Sequence, residues 1–150
     1  MYTKEEKREI RIEFWDGFKR YSKKKGRKMT SWVLKGTQMR EAQLKFDLNE
    51  NGAFVMLQID SKFDSKRYSV YEKFEKYKTV INETCGEDLL WDKDYFMDGF
   101  KEVSLIYFHK AEASVFNKDE WNNYFEFLFS KMSMLEEAFL DVKEVVQNLE

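Results

Sequence analysis

The fold is decided by residues 118–149, KDEWNNYFEFLFSKMSMLEEAFLDVKEVVQNL, in which apolar side chains repeat at alternating spacings of four and three residues. These side chains are Trp121, Phe125, Leu128, Met132, Leu135, Phe139, Val142, Val146 and Leu149. A mean spacing of about 3.5 residues is the period of a coiled-coil seam. The pattern therefore predicts one helix over residues 118–149, about 48 Å long at 1.5 Å per residue.

This predicted helix is long for the chain. A compact fold of 150 residues has a radius of gyration of only about 15 Å, so the helix must cross the fold, project from it, or break. Ser133 and Glu136 have the spacing of a capping box, which would permit a break near residues 131–133. The unbroken apolar phase instead favours one continuous helix.

The second half of the stripe is narrower than the first and is flanked by charged side chains, as in a coiled coil. We therefore predict that the protein forms a homodimer through this part of the helix. The candidate interface residues are Leu135, Phe139, Val142, Val146 and Leu149. The alternative is that the same residues cover the sheet of their own chain.

Composition limits the available chemistry. The length predicts a single domain over residues 1–150, and 14 Phe, 8 Tyr and 4 Trp supply a large core. One histidine and one cysteine exclude a Cys/His zinc site and a disulfide within the chain, so we predict no metal and no cofactor. Cys85 is expected to be a buried, inert thiol. With no apolar run near the roughly 18 residues of a membrane span, we expect a cytoplasmic protein without membrane contact.

Capping and turn signals define the remaining elements. Thr3 and Glu6 form a capping box that begins a first helix, which should end near Lys25 before Gly26. Residues 29–37 carry no clear signal, and within them Trp32, Val33 and Leu34 should form a short extended piece that packs on the core. A second helix is predicted over residues 66–85, and Gly86 should end it.

Asn51-Gly52 is the strongest hairpin signal, because a type I′ turn needs positive φ at both of its central residues. With those two residues in the turn, Leu44 should pair with Ile59. A second strand pair is expected over residues 89–93 and 102–109, turning near Asp98-Gly99. The order αββαββα predicts an α+β fold, with one four-stranded antiparallel sheet packed by three helices.

The densest positive charge lies at the end of the first helix and just after it, and suggests a nucleic-acid contact. Residues 1–75 carry 18 Lys/Arg against 12 Asp/Glu, a surplus of +6, whereas the whole chain carries −2. Cationic side chains neutralise phosphates, so this block is the candidate nucleic-acid-binding surface. Its residues are Lys19, Arg20, Lys23, Lys24, Lys25, Arg27 and Lys28. The alternative is a solvated helix end.

The first hairpin carries the candidate catalytic residues. Asp60-Ser61-Lys62 resembles the (D/E)-x-K pattern of metal-dependent nucleases, in which two carboxylates hold a divalent metal beside a lysine. In the predicted register, Glu41 lies diagonal to Asp60 and opposite Lys62. These three residues are the candidates for a nuclease-like site. The alternative is the solvated face of a two-stranded ribbon.

Three stretches resemble a bacterial family, the domain of unknown function 4268. They are Lys4-Glu5-Glu6 followed by Phe14-Trp15 and Phe18, then Gly86-Glu87-Asp88-Leu89-Leu90-Trp91, and Phe116-Asn117-Lys118-Asp119-Glu120-Trp121. The resemblance carries over no catalytic residue. Some members look like C-terminal partners of nuclease-like domains, which implies a context of DNA or defence.

Three hypotheses follow from the sequence. The first is a non-enzymatic interaction module that self-associates through its last helix. The second is a nucleic-acid-associated protein that uses the basic block, and the third is a metal-dependent nuclease-like site on the first hairpin. The first rests on the heptad stripe and on the scarcity of catalytic side chains.

Overall fold

A computed structural model describes residues 1–33, 37–97 and 101–148 of the chain. The helices are α1 (Lys4–Lys24), α2 (Thr30–Val33), α3 (Asp64–Glu75), α4 (Lys78–Cys85) and α5 (Trp121–Asn148), with a 3-10 turn over Lys118–Glu120. The strands are β1 (Ala42–Asn49), β2 (Gly52–Ile59), β3 (Leu90–Met97) and β4 (Lys101–Lys110). This arrangement confirms the predicted α+β class and the four-stranded sheet.

The four strands form one antiparallel sheet in the order β1-β2-β4-β3. Buried side chains of all five helices share one apolar cluster with the inward-facing strand residues, including Phe14, Leu57 and Phe139. A second cluster on the other face contains strand residues only. The helices therefore pack on one face of the sheet, and the second face is here called the outer face.

The last helix is continuous through the region where a break was considered. The Ser133 hydroxyl donates to the Phe129 carbonyl oxygen at 2.8 Å, four residues back along the helix, instead of capping a new helix. The α-helix begins at Trp121 after the 3-10 turn, three residues later than predicted. The prediction of one long C-terminal helix is thus confirmed, and Leu149 lies outside the described residues.

The capping box on α1 is confirmed, because the Thr3 hydroxyl accepts from the Glu6 amide at 3.1 Å and the Glu6 carboxylate accepts from the Thr3 amide at 3.0 Å. The prediction of one helix over residues 66–85 is wrong. The backbone leaves helical geometry at Tyr77, with φ −107° and ψ 20°, and divides the segment into α3 and α4. Both Phe74 and Ile81 then reach the core.

The extended piece predicted at Trp32, Val33 and Leu34 is also wrong at its first two residues, and Leu34 lies outside the described residues. Residues Thr30–Val33 form the short helix α2, and the Trp32 amide donates to the Met29 carbonyl oxygen at 3.1 Å. The Trp32 ring is buried in the main core. The short helix therefore does what the extended piece was expected to do, which is to place this ring.

The first hairpin turns one residue earlier than predicted, which shifts the pairing of its strands by two residues. Leu44 pairs with Leu57 rather than with Ile59, and the turn consists of Glu50 and Asn51. Gly52 lies in β2, with φ +117°, where a Cβ atom would be 2.2 Å from the Lys110 carbonyl oxygen. Because the backbone of β4 comes so close, this position in β2 requires a glycine. A two-residue shift keeps every side chain on its predicted face.

The second strand pair is longer than predicted, with β3 extending to Met97 and β4 covering Lys101–Lys110. The pairing shifts by one residue between Asp92 and Tyr95, which marks a β-bulge in β3. The turn predicted at residues 98–99 lies outside the described residues.

Candidate functional site

The basic block at the end of α1 remains largely open to solvent. Six of its seven side chains are exposed, and none of the six forms an ion pair with any described residue. They are Lys19, Arg20, Lys23, Lys24, Lys25 and Lys28, which together we call the α1 basic surface. Lys25 Nζ lies 5.6 Å from the centroid of the Tyr21 ring. The α1 basic surface is therefore a cluster of positive charge without described carboxylate partners.

Arg27, the seventh member of the block, has a structural role. Its Nη1 donates to Glu136 Oε1 at 2.7 Å, and its Nε donates to the Ser31 hydroxyl at 2.7 Å. The guanidinium also lies 4.8 Å from the centroid of the Trp32 ring. Since these contacts join the end of α1 to α2 and α5, we assign Arg27 to the fold rather than to a binding surface.

The stripe residues that were candidates for a homodimer interface lie in the core of their own chain. Leu135, Phe139, Val142 and Val146 are all buried against the other helices and the sheet. They therefore offer no surface to a second chain, and the physical reason for the heptad spacing is that α5 crosses the whole fold. The fifth candidate, Leu149, lies outside the described residues.

The structure brings the three nuclease candidates to one cleft. The Asp60 amide donates to the Glu41 carbonyl oxygen at 2.9 Å, so Glu41 lies opposite Asp60 rather than opposite Lys62. Asp60 Oδ2 is 2.6 Å from Lys101 Nζ. Among the described residues, no three His, Cys, Asp or Glu side chains are grouped to hold a metal ion. The nuclease hypothesis stays a prediction. Its central carboxylate, Asp60, is paired with Lys101.

This cleft lies on the outer face, beside the end of the first hairpin, and has a volume of about 670 Å³. We call it the sheet cleft. Five cationic side chains line it, namely Arg40, Lys45, Lys62, Lys66 and Lys101. The carboxylates of Glu41 and Asp60 also line the sheet cleft. The charge of the sheet cleft is therefore predominantly positive.

Gln58 is the unusual member of the sheet cleft. It lies on β2 between the two neighbouring strands, and only 2% of its surface is exposed. Its Oε1 atom is buried and accepts no hydrogen bond from the described residues. A buried acceptor without a donor costs about 1–3 kcal/mol, so such an atom calls for a structural or functional reason.

Sequence reasoning missed the sheet cleft as a cationic site. Its cations come from the segment before β1, from β1 itself, from the connection between β2 and α3, from the start of α3 and from the start of β4. Only the sheet order brings these segments together. The one local signal is the alternation of β2, which places Gln58 on the same face as Phe54 and Met56.

A buried arginine stabilises the bulge of β3, and this residue was also missed. Arg67 on α3 is fully buried and donates to the Lys93 carbonyl oxygen at 2.6 Å and to Glu102 Oε1 at 2.7 Å. Asp94 accepts from Tyr68 at 2.6 Å and from Arg67 at 3.2 Å, and these hydrogen bonds hold the pKa of Asp94 below its ordinary value. The network binds α3 to the bulge, and we assign it a structural role.

Cys85 is buried, as expected, and its thiol is predicted to react slowly. Burial, with a smaller contribution from Glu87, raises the pKa of the Cys85 thiol from 9.0 to about 11. The thiolate is the nucleophile, so a two-unit rise leaves about a hundredfold less of it at pH 8. In the variant Ser65→Cys, which adds an exposed cysteine on α3, we expect iodoacetamide to modify position 65 at least about a hundredfold faster than Cys85.

Peptide mass spectrometry would follow both cysteines in the same molecule, and denaturant should remove the difference. Equal rates in the folded protein would contradict the buried placement of Cys85.

The raised pKa of the Cys85 thiol also makes the stability of the protein depend on pH. Because the unfolded chain loses this proton at lower pH, the contribution of Cys85 is complete below about pH 9 and is lost as the pH rises toward 11.

These observations define an α+β protein class: a four-stranded antiparallel sheet with helices on one face and a cationic cleft on the other. No helix in the described part of the chain is long and apolar enough to cross a membrane. The chain belongs to the family described as a domain of unknown function, DUF4268, whose model matches residues 10–143. Comparisons with curated proteins and with solved structures gave no match.

Proposed function

We propose that this protein associates with nucleic acid and that the α1 basic surface is its contact. The observation that carries the proposal is the exposure of six cations at one helix end, none of them paired with a described carboxylate. A cationic side chain that is already paired with a carboxylate contributes little to the binding of a polyanion. An unpaired cationic side chain releases counterions from the phosphates when it binds them. Arg27 is outside the proposed contact because its guanidinium is already paired with the Glu136 carboxylate.

The local charge matters more here than the net charge. The chain as a whole carries −2, but the first 75 residues carry a surplus of +6. A phosphate backbone is attracted to the nearest dense positive patch, since charges beyond a Debye length of about 8 Å are screened at physiological salt. An acidic protein can therefore present a nucleic-acid contact at one end of a helix.

Binding should depend strongly on salt. Fluorescence anisotropy of a labelled DNA duplex, and of its separate strands, would measure the affinity at two salt concentrations. For a duplex, log K falls by about 0.9 for each neutralised phosphate per unit of log salt. We expect the double variant Lys19→Glu/Lys23→Glu to weaken binding at least about tenfold and to reduce this slope.

The matched control is the double variant Lys7→Glu/Lys76→Glu, which changes the net charge equally at exposed positions outside the α1 basic surface. It should keep most of the affinity. Similar melting temperatures of the unmodified protein and the two double variants would exclude unfolding as the cause of weaker binding. Absence of binding at low salt, or equal losses in the two double variants, would refute a contact at the α1 basic surface.

Self-association remains a separate prediction, as does a cytoplasmic location. Four of the five proposed interface residues lie in the core, so a homodimer would need a different surface. Leu140 and Val145 are the exposed apolar side chains in the described part of α5. Light scattering on the full chain measures the mass directly, and a monomer would leave the nucleic-acid proposal untouched.

A further inference from the structure

We propose that the sheet cleft binds a nucleotide, with its lysines on the phosphate and Gln58 on the base. The inference concerns the outer face of the sheet and does not rest on the α1 basic surface. Three observations carry it: a surplus of positive charge, a buried acceptor without a donor, and an exposed aromatic ring at the rim.

The charge of the sheet cleft favours a phosphate group. Five cations and two carboxylates line the cleft, and one of these carboxylates, Asp60, already pairs with Lys101 at 2.6 Å. The N-terminal turn of α3 also borders the cleft through Phe63 and Lys66, and no side chain caps it. The positive end of this 12-residue helix adds to the attraction for an anion.

Gln58 indicates more than a bare anion. Its buried Oε1 can only accept a hydrogen bond, so the missing partner must be a donor. The phosphate of a nucleotide, a monoester dianion, has no proton to donate, whereas the exocyclic amine and ring N–H groups of nucleobases are donors. The orphan acceptor and the lysines therefore fit the two ends of one molecule, which are a base and a phosphate.

Phe63 supplies a surface for the base. It lines the sheet cleft at the start of α3 and keeps 65% of its surface exposed. Such a ring can stack on a nucleobase without selecting its sequence. The cleft volume of about 670 Å³ lies within the roughly 300–1,000 Å³ of small-ligand sites. A single nucleotide unit is therefore of a suitable size.

Isothermal titration calorimetry on the full chain tests the proposal with defined probes, namely adenosine monophosphate, adenosine, inorganic phosphate and a short single-stranded oligonucleotide. We expect saturable binding of the monophosphate, with adenosine and phosphate each at least about tenfold weaker. Tighter binding of the oligonucleotide that is lost in Lys62→Glu/Lys66→Glu would identify a strand as the source of the nucleotide unit, because the α1 basic surface is unchanged in that variant. Tighter binding of the monophosphate would identify the free nucleotide. No saturable binding, or phosphate binding as tight as the monophosphate, overturns the proposal.

Variants distinguish the site from general charge. Gln58→Leu removes the orphan acceptor, so we expect an equal or higher melting temperature without ligand, together with at least about tenfold weaker nucleotide binding. Lys62→Glu/Lys66→Glu changes two exposed side chains of the cleft and should also weaken binding at least about tenfold. The matched control is again Lys7→Glu/Lys76→Glu, which should bind normally. Unchanged affinity in the Lys62/Lys66 variant overturns the proposal, even if Gln58→Leu fails to fold.

Discussion

The substitution Phe139→Ala is expected to lower the free energy of unfolding by about 3–5 kcal/mol. The Phe139 ring is 1% exposed, and its centroid lies 5.9 Å from that of Phe74 on α3. Truncation removes the buried apolar area and leaves a cavity that the surrounding helices fill only in part. Urea unfolding followed by circular dichroism measures the loss.

The neighbouring residue provides the control for this prediction. Leu140 is 53% exposed on the same helix, so Leu140→Ala should change the free energy of unfolding by no more than about 0.5 kcal/mol. Both losses should be independent of protein concentration, because the stripe is buried within one chain. Similar small losses for the two variants, or a loss that depends on concentration, would show that Phe139 is not core.

The second large effect is expected at Gly52. In Gly52→Ala, the new Cβ would lie 2.2 Å from the Lys110 carbonyl oxygen and 2.9 Å from Ala111 Cα, both of them backbone atoms. The hairpin must move away from the end of β4, and the φ of +117° adds strain for any side chain. We expect Gly52→Ala to lower the free energy of unfolding by about 3 kcal/mol or more.

Gly26→Ala separates the backbone strain from the clash. Gly26 also has a positive φ, +94°, but a Cβ there would meet nothing within 4 Å. This control should cost only about 1–2 kcal/mol, which is the ordinary penalty for a left-handed residue. Thermal unfolding of the two variants measures the difference. Equal costs would mean that the close approach of Gly52 to β4 is not rigid.

The first hairpin shows which features of the fold the sequence could predict and which it could not. Alternating apolar residues in β1 and β2 correctly indicated which side chains face the core, because that assignment depends only on a period of two. The turn was placed wrongly because Asn51-Gly52 has the local chemistry of a type I′ turn, whereas the glycine is needed in β2 for its contact with Lys110. A distant strand thus overrode a local preference.

The same distinction applies to the helices and to the candidate sites. The apolar stripe predicted the length of α5 correctly, but the stripe alone could not say whether its partner is another chain or the sheet. The sheet cleft was beyond sequence reasoning because Arg40, Lys66 and Lys101 meet only through the strand order. Arg67 likewise looks like an ordinary surface charge until α3 packs against the bulge.

The strand order also has a consequence for how the chain folds. Each outer strand pairs with its neighbour in sequence, but the two inner strands, β2 and β4, are separated by α3, α4 and β3. The hairpins need only short loop closures, whereas joining the inner strands must close a long loop before its contacts compensate the lost entropy. The rate of folding should therefore be governed by the docking of two preformed hairpins, and the helices between them should shorten that search.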